Sequence, residues 1–292
     1  MNTSLRVRKI TNRGIMAAAA VLAVCALTAR ADLVHRYDFN SANDTVGTAN
    51  GTLVNSATIT GGALVTAGGN GAVDGRWDLN GPRLTLDPSA VSGITGAFTI
   101  EDWFTVTTGW PKYDTLYAFS DDTTLNYILG APVRGYSPWP SGVGFIGGGG
   151  VARADTNIWD FVLSGIWLDQ GGPHQTILTY DGTTFSYYVD GVLANYNGLP
   201  ATAVDPGFNL STLTYIGING GSPYDDPTLT GSTYDFRIYS QALTADQVTS
   251  MYNLGSDASN PAIVAIIPEP SSLALVGIGA LALLALRRKK NS

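Results

Sequence analysis

Short runs in which apolar and polar positions alternate fill the middle of the chain. The cleanest is Thr233-Tyr234-Asp235-Phe236-Arg237-Ile238-Tyr239, with Tyr234, Phe236 and Ile238 on one face and Asp235 and Arg237 on the other. That period of two predicts a strand with one face in the core and the other toward water. Leu33–Phe39 reads as a strand too, as does Ala97–Val106, where Phe98 and Ile100 alternate with Thr99 and Glu101 ahead of Trp103. Gln175–Tyr180, Thr184–Val189 and Val192–Ala194 are β-branched and aromatic runs separated by Asp181-Gly182 and Asp190-Gly191. Asp-Gly steps supply the positive φ of tight turns, so these runs predict a three-strand meander. One interior helix is expected: Thr244-Ala245-Asp246-Gln247 has the form of a capping box, Val248, Met251 and Tyr252 follow on one side, and Gly255 ends it. Gly109–Pro173, with Gly147–Gly150 and scattered Trp and Pro, shows no such period and predicts irregular loops.

The termini carry a different pattern. Arg6, Arg8, Lys9 and Arg13 precede an apolar stretch from Ile15 to Leu27, and Ala29-Arg30-Ala31 places small residues where a leader peptidase cuts. This is the layout of a secretory signal peptide over residues 1–31. At the other end Pro268-Glu269-Pro270 is followed by the charge-free Ser271–Leu286 and then by Arg287, Arg288, Lys289 and Lys290. Sixteen residues fall slightly below the roughly 20 that span a bilayer as a helix. One C-terminal transmembrane helix is expected, with the four cations as its cytoplasmic stop. The prolines resist helix and present Glu269 on an extended segment. Gly255–Ile267 reads as a spacer between body and tail. These three parts in this order resemble the PEP-CTERM sorting signal. The resemblance implies an exosortase-like processing enzyme as partner, and a membrane held through the C-terminal helix until processing.

Composition narrows what the body, residues 32–267, does. Its seven Arg and Lys face 22 Asp and Glu, a net of −15, so it lacks the basic stripe that nucleic-acid binding requires. Cys25, the only cysteine, lies inside the leader; the exported chain then has neither disulfide nor thiol chemistry. With 35 glycines in the chain and almost no Lys or Glu in the body, little helix is expected.

The meander Gln175–Ala194, the segment Phe98–Trp103 and the block Tyr234–Val248 together resemble the laminin-G-like, concanavalin A-like jelly-roll family over about Leu33 to Tyr252. The expected fold is therefore all-β, an antiparallel two-sheet jelly-roll sandwich over residues 32–254. That fold hosts lectins, adhesion modules and hydrolases alike, so function rests on sites.

Glycoside hydrolysis needs two carboxyl groups. Glu101 is the only glutamate in the body, and Glu101-Asp102-Trp103 lacks the second Glu of the Glu-x-Asp-x-x-Glu strand that glucanases of this fold carry. The adjacent pairs Asp121-Asp122 and Asp225-Asp226 would point to opposite faces on a strand. No catalytic residue is assigned, and a carbohydrate-active hydrolase is the alternative reading. His35 and His174 form no triad, and His174, just ahead of the meander, is read as structural. A zinc site would need more nitrogen or sulfur ligands. No cofactor is required; a structural Ca²⁺, which takes oxygen ligands, is expected at Asp38 and Asp235, with Asp225 and Asp226 behind them, a site the family resemblance implies between first and last strands. The other reading of Asp235 is an ion pair with Arg237 or Arg36. For ligand binding, Trp110, Tyr136 and Trp139 stand among prolines in a polar setting and suit stacking on a sugar. The whole reads as an exported, non-catalytic surface or matrix protein whose jelly roll meets a polysaccharide, another surface glycan or a protein.

Overall fold

The computed structural model describes residues 32–69, 81–107, 114–121, 127–134, 146–153, 158–163, 172–196, 199–200, 202–205, 207–220 and 228–266. The chain divides into two compact units, one of Ala31–Ile267 and one of the two termini, Met1–Arg30 with Pro268–Ser292. The expected signal peptide, residues 1–31, and the C-terminal apolar stretch lie outside the described residues. Among the described residues no helix is long and apolar enough to cross a membrane.

Two antiparallel sheets make up the body. The larger runs β13 (Val192–Leu193), β12 (Thr184–Val189), β11 (His174–Tyr180), β6 (Phe98–Val106), β18 (Thr228–Tyr239), β4 (Ala63–Gly69) and β3 (Thr58–Thr60); β1 (Leu33–Tyr37) pairs with β18, and β16 (Thr202–Val204) with β12. The smaller runs β10 (Ile158–Leu163), β9 (Ile146–Arg153), β8 (Tyr127–Arg134), β7 (Tyr117–Ser120), β17 (Tyr215–Ile218), β5 (Arg83–Leu86) and β2 (Gly51–Val54). A separate two-stranded ribbon joins β14 (Asn195–Tyr196) to β15 (Leu199–Pro200). The helices are α1 (Ser89–Ser92), α2 (Ala245–Leu254) and α3 (Asn260–Ile266).

The meander forms as its turns dictate. Val189 faces Val192 across Asp190-Gly191, with φ of 48° and 79°, the paired positive values of a hairpin turn whose twist matches the strands. The wider first turn is held by the Asp181 carboxylate, which accepts the N–H groups of Thr183 and Thr184 at 2.8 Å. The capping box is closed as expected: the Gln247 N–H donates to the Thr244 hydroxyl at 3.3 Å, and the Gln247 side chain accepts from the Thr244 N–H at 2.8 Å.

Two corrections to the sequence reading concern regularity. Gly109–Pro173, expected to be irregular, contains strands β7 to β10, and the glycine run lies in β9, paired with β8 on one side and β10 on the other. Glycine weakens a strand, but flanking strands on both sides satisfy its backbone groups. The segment read as a spacer is folded: α3 follows α2 after a short turn, with Pro261 in its first turn, where a missing N–H costs nothing.

The main core lies between the sheets. Phe98, Ile100, Leu178, Phe185, Phe236 and Ile238 from the larger sheet meet Tyr117, Phe119, Ile128, Ile216 and Ile218 from the smaller. Phe236 meets Tyr117 and Phe119 edge-on, with ring centroids 5.8 and 6.2 Å apart, an arrangement worth about 0.5–1.5 kcal/mol per pair beyond the buried area. A second core covers the other face of the larger sheet, where Val248 and Met251 of α2 and Ile263 of α3 pack on Ile177, Tyr188 and Tyr239.

Candidate functional site

Beside that second core lie four of the nine buried charged side chains among the described residues: Arg36, Glu101, Asp235 and Arg237. Strand alternation turns Glu101 and Trp103 of β6, and Asp235, Arg237 and Tyr239 of β18, away from the inter-sheet space, and the turn after α2 and helix α3 close over them. Asp235 and Arg237, expected on a solvated face, are fully buried. Period-two alternation separates two faces and does not say what covers the second, so this corrects the expectation.

Glu101 Oε1 accepts from Trp103 Nε1 at 2.8 Å, Gln175 Nε2 at 2.7 Å and Arg237 at 2.9 Å, and Oε2 accepts from the Tyr239 hydroxyl at 2.6 Å. Asp235 accepts from Arg237 at 2.6 Å and from Arg36 at 2.7 Å. Arg36 reaches on to Asn260 Oδ1 at 2.6 Å, and both guanidinium groups donate to the Ser256 carbonyl. Two cations and two anions thus cancel inside the fold. Burial alone would pull Arg237 down, but the Glu101 and Asp235 carboxylates outweigh it and hold the guanidinium above its ordinary pKa. Burial pushes Asp235 up against the pull of Arg237 and Arg36; with guanidinium N–H groups on both oxygens, the carboxylate is the form the geometry holds.

Asp102, the next residue, points the opposite way, into the inter-sheet core. Neither of its oxygens has a hydrogen-bond partner, and burial, then the charges of Asp235 and Glu101, raise its pKa well above the ordinary value. A neutral carboxyl is the expected state. Glu101 and Asp102 are both fully buried, so neither reaches a surface that a substrate touches.

Each histidine meets an aspartate. His35 Nδ1 meets Asp44 Oδ2 at 2.5 Å, and His174 Nδ1 meets Asp190 Oδ2 at 2.9 Å. Asp44 organises the loop after β1 by accepting the N–H groups of Arg36, Val46, Gly47 and Ala49. Burial would raise Asp44, but the His35 bond and these N–H groups lower it to about 2.

Of the aspartates expected to hold calcium, Asp38 is partly exposed and accepts from the backbone and side chain of Asn40, while Asp235 sits between its two arginines. The structure brings these two to no shared contact, and among the described residues no three His, Cys, Asp or Glu side chains group as metal ligands. Asp225 and Asp226 lie outside the described residues, as do Trp110, Tyr136, Trp139, the Pro268-Glu269-Pro270 motif and Arg287 to Lys290. The strands flanking the three aromatics are described. Tyr117 pairs with Gly130 and Arg134 with Ile146, so the start of β7, the end of β8 and the start of β9 share one end of the smaller sheet.

The alternative reading of Asp235, an ion pair with Arg237 or Arg36, is what the structure shows, with both arginines on the one carboxylate; sequence reasoning missed Asn260 and the burial of the whole network. A signal was available: in a body with only seven cations, an arginine inside an alternating strand beside aspartate-bearing neighbours marks a buried pair.

Solved structures with similar folds match this chain at low identity. Domain 4 of AbnA, a GH43 extracellular arabinanase from Geobacillus stearothermophilus solved with arabinotriose, shares 16% identity at a TM-score of 0.52, over 76% of this chain and 99% of that one. A botulinum neurotoxin type C structure, whose cell entry depends on interaction with two ganglioside molecules, shares 13% identity at a TM-score of 0.53, over 77% of this chain. The binding domain of botulinum neurotoxin DC, in complex with SialylT, shares 11% identity at a TM-score of 0.50, over 76% of this chain. The match spans about half of each toxin chain, 51% and 50%. Comparison with curated proteins finds no match. The PEP-CTERM protein-sorting motif matches residues 267–289. The laminin-G-type family model matches residues 78–249, more than half of the sequence, and the chain belongs to the concanavalin A-like lectin/glucanases superfamily.

Proposed function

We propose that this is an exported, non-catalytic protein of the bacterial envelope or its matrix, freed of its leader near Ala31 and processed at Pro268-Glu269-Pro270 by an exosortase-like enzyme. Its jelly roll serves as the interaction module and takes a polysaccharide or other surface glycan. The observation that carries the non-catalytic reading is the burial of Glu101: the only glutamate of the body has both oxygens occupied and no exposure. A glycosidase needs one carboxyl placed to protonate a leaving group and a second about 5–9.5 Å away across the substrate. For the glycan, the proposed contacts are Trp110, Tyr136 and Trp139; the register that brings the start of β7, the end of β8 and the start of β9 to one end of the smaller sheet supports a shared platform. Relatives in fold solved with an arabinose oligomer or linked to gangliosides fit the same reading. Asp235 is set aside as a calcium ligand because guanidinium groups occupy both its oxygens; Asp38, Asp225 and Asp226 are the proposed ligands.

Two measurements test this. Mass spectrometry of the protein recovered from its host should find a C-terminus upstream of Ser292, and an intact tail would leave a plain membrane anchor. A glycan array should give signals that Trp139→Ala weakens at least tenfold; a blank array, or equal binding by the variant, removes the platform, and reducing-sugar release would revive the hydrolase.

A further inference from the structure

The folded body extends almost to the sorting motif. Ile266 is the last residue of α3 and only Ile267 separates it from Pro268. α3 is no loose extension: Asn260 Oδ1 accepts from Arg36 of the first strand at 2.6 Å, the Ser256 carbonyl just ahead of it accepts from Arg237 of the last strand at 3.1 Å, Ile263 is fully buried, and Ile266 packs at the edge of the same cluster. Enzymes that recognise peptide segments commonly take them as extended strands, with main-chain hydrogen bonds and alternate side-chain pockets. Residues wound into a docked helix present neither.

We propose that α3 is a latch on processing: the residues just upstream of Pro268-Glu269-Pro270 become a peptidase substrate only when α3 leaves the body, so the rate of tail removal follows the opening of this helix. The inference rests on the processing proposed above. Opening is local. α3 is seven residues long, too short to persist as a helix once undocked, and it pairs with no strand of either sheet, which places it at the low-stability end of the structure.

The test uses the full chain in detergent micelles. Thermolysin, which cuts ahead of apolar residues, is applied to wild type, Asn260→Ala, Ile263→Ser and, as a conservative control, Ile263→Val, and cleavage within residues 260–267 is timed by mass spectrometry. Asn260→Ala and Ile263→Ser should be cut there at least tenfold faster, Ile263→Val at close to the wild-type rate, with the unfolding midpoint of the sheets little changed. Pulse-chase in the host should show the two loosened variants losing their tails sooner. Equal thermolysin rates overturn the latch, as does faster thermolysin cutting with unchanged processing in the host. A wild-type chain that stays intact to Ser292 in the host, beside faster cutting of the variants in vitro, sinks the processing proposal and, with it, the regulatory role.

Discussion

Replacing Arg237 by Met tests whether the buried charge network stabilises the fold through neutrality. The side chain is completely buried, donates to Glu101, Asp235 and the Ser256 carbonyl, and is one of two cations facing two anions. Arg237→Met keeps most of the volume but leaves one uncompensated negative charge in the interior. Glu101 would retain Trp103, Gln175 and Tyr239 as donors, and Asp235 would retain Arg36, so the loss falls short of stranding a bare carboxylate. Removing one partner of a buried pair costs about 3–5 kcal/mol. For a body of this size, where 1 kcal/mol moves the midpoint by about 2–4 °C, that is a fall of roughly 6–20 °C. Glu101→Leu, which strands Arg237 beside a single anion, should cost a similar amount. The double variant restores neutrality and should be more stable than the sum of the two singles by at least about 1 kcal/mol. Equilibrium urea unfolding of the four proteins reads out the cycle. A loss below about 1 kcal/mol for Arg237→Met, or additive single effects, would refute the reasoning.

Other perturbations follow from the same geometry. Asp102, whose folded pKa lies above its ordinary value, costs nothing below about pH 4, where both states are protonated; as pH rises further the unfolded chain ionises while the folded one stays neutral, so stability falls. Asp102→Asn should flatten that decline in melts between pH 4 and 8, and an unchanged slope would place the decline elsewhere. Asp114, raised to about 6 by burial, has the same sign, and Asp114→Asn separates its share. Thr244→Ala opens the capping box of α2 and should cost about 1 kcal/mol in urea unfolding; no loss would mean that tertiary packing alone holds α2. Asp235→Asn should lower the midpoint equally in calcium and in chelator, since its partners are arginines; a loss confined to calcium buffer would return this residue to a cation site.

How much of this was legible depended on how local the signal was. The meander and the capping box depend on residues a few positions apart, and Asp190-Gly191 or Thr244 with Gln247 name their geometry directly. The family blocks carried the two-sheet architecture. The cover over Asp235 and Arg237 was illegible because it comes from Gly255–Ile266, whose Ser, Asp, Asn and Pro have the composition of a linker, and whose helix is held by a contact to Arg36 more than 220 positions away. Strand β9 was hidden for another reason: Gly147–Gly150 has no side chains to alternate, and only the register of its neighbours shows that it is a strand.

The bond between Arg36 and Asn260 ties the first strand of the exported body to its last helix. During synthesis and export the N-terminal half of that contact emerges first and waits for the C-terminal half, so α3 cannot seat until almost the entire chain has crossed. Until then Arg36, Arg237 and their carboxylates stand open on one face of an unfinished sheet. Closure of that contact, one of the last in the fold to form, thus falls within a few residues of where the tail begins.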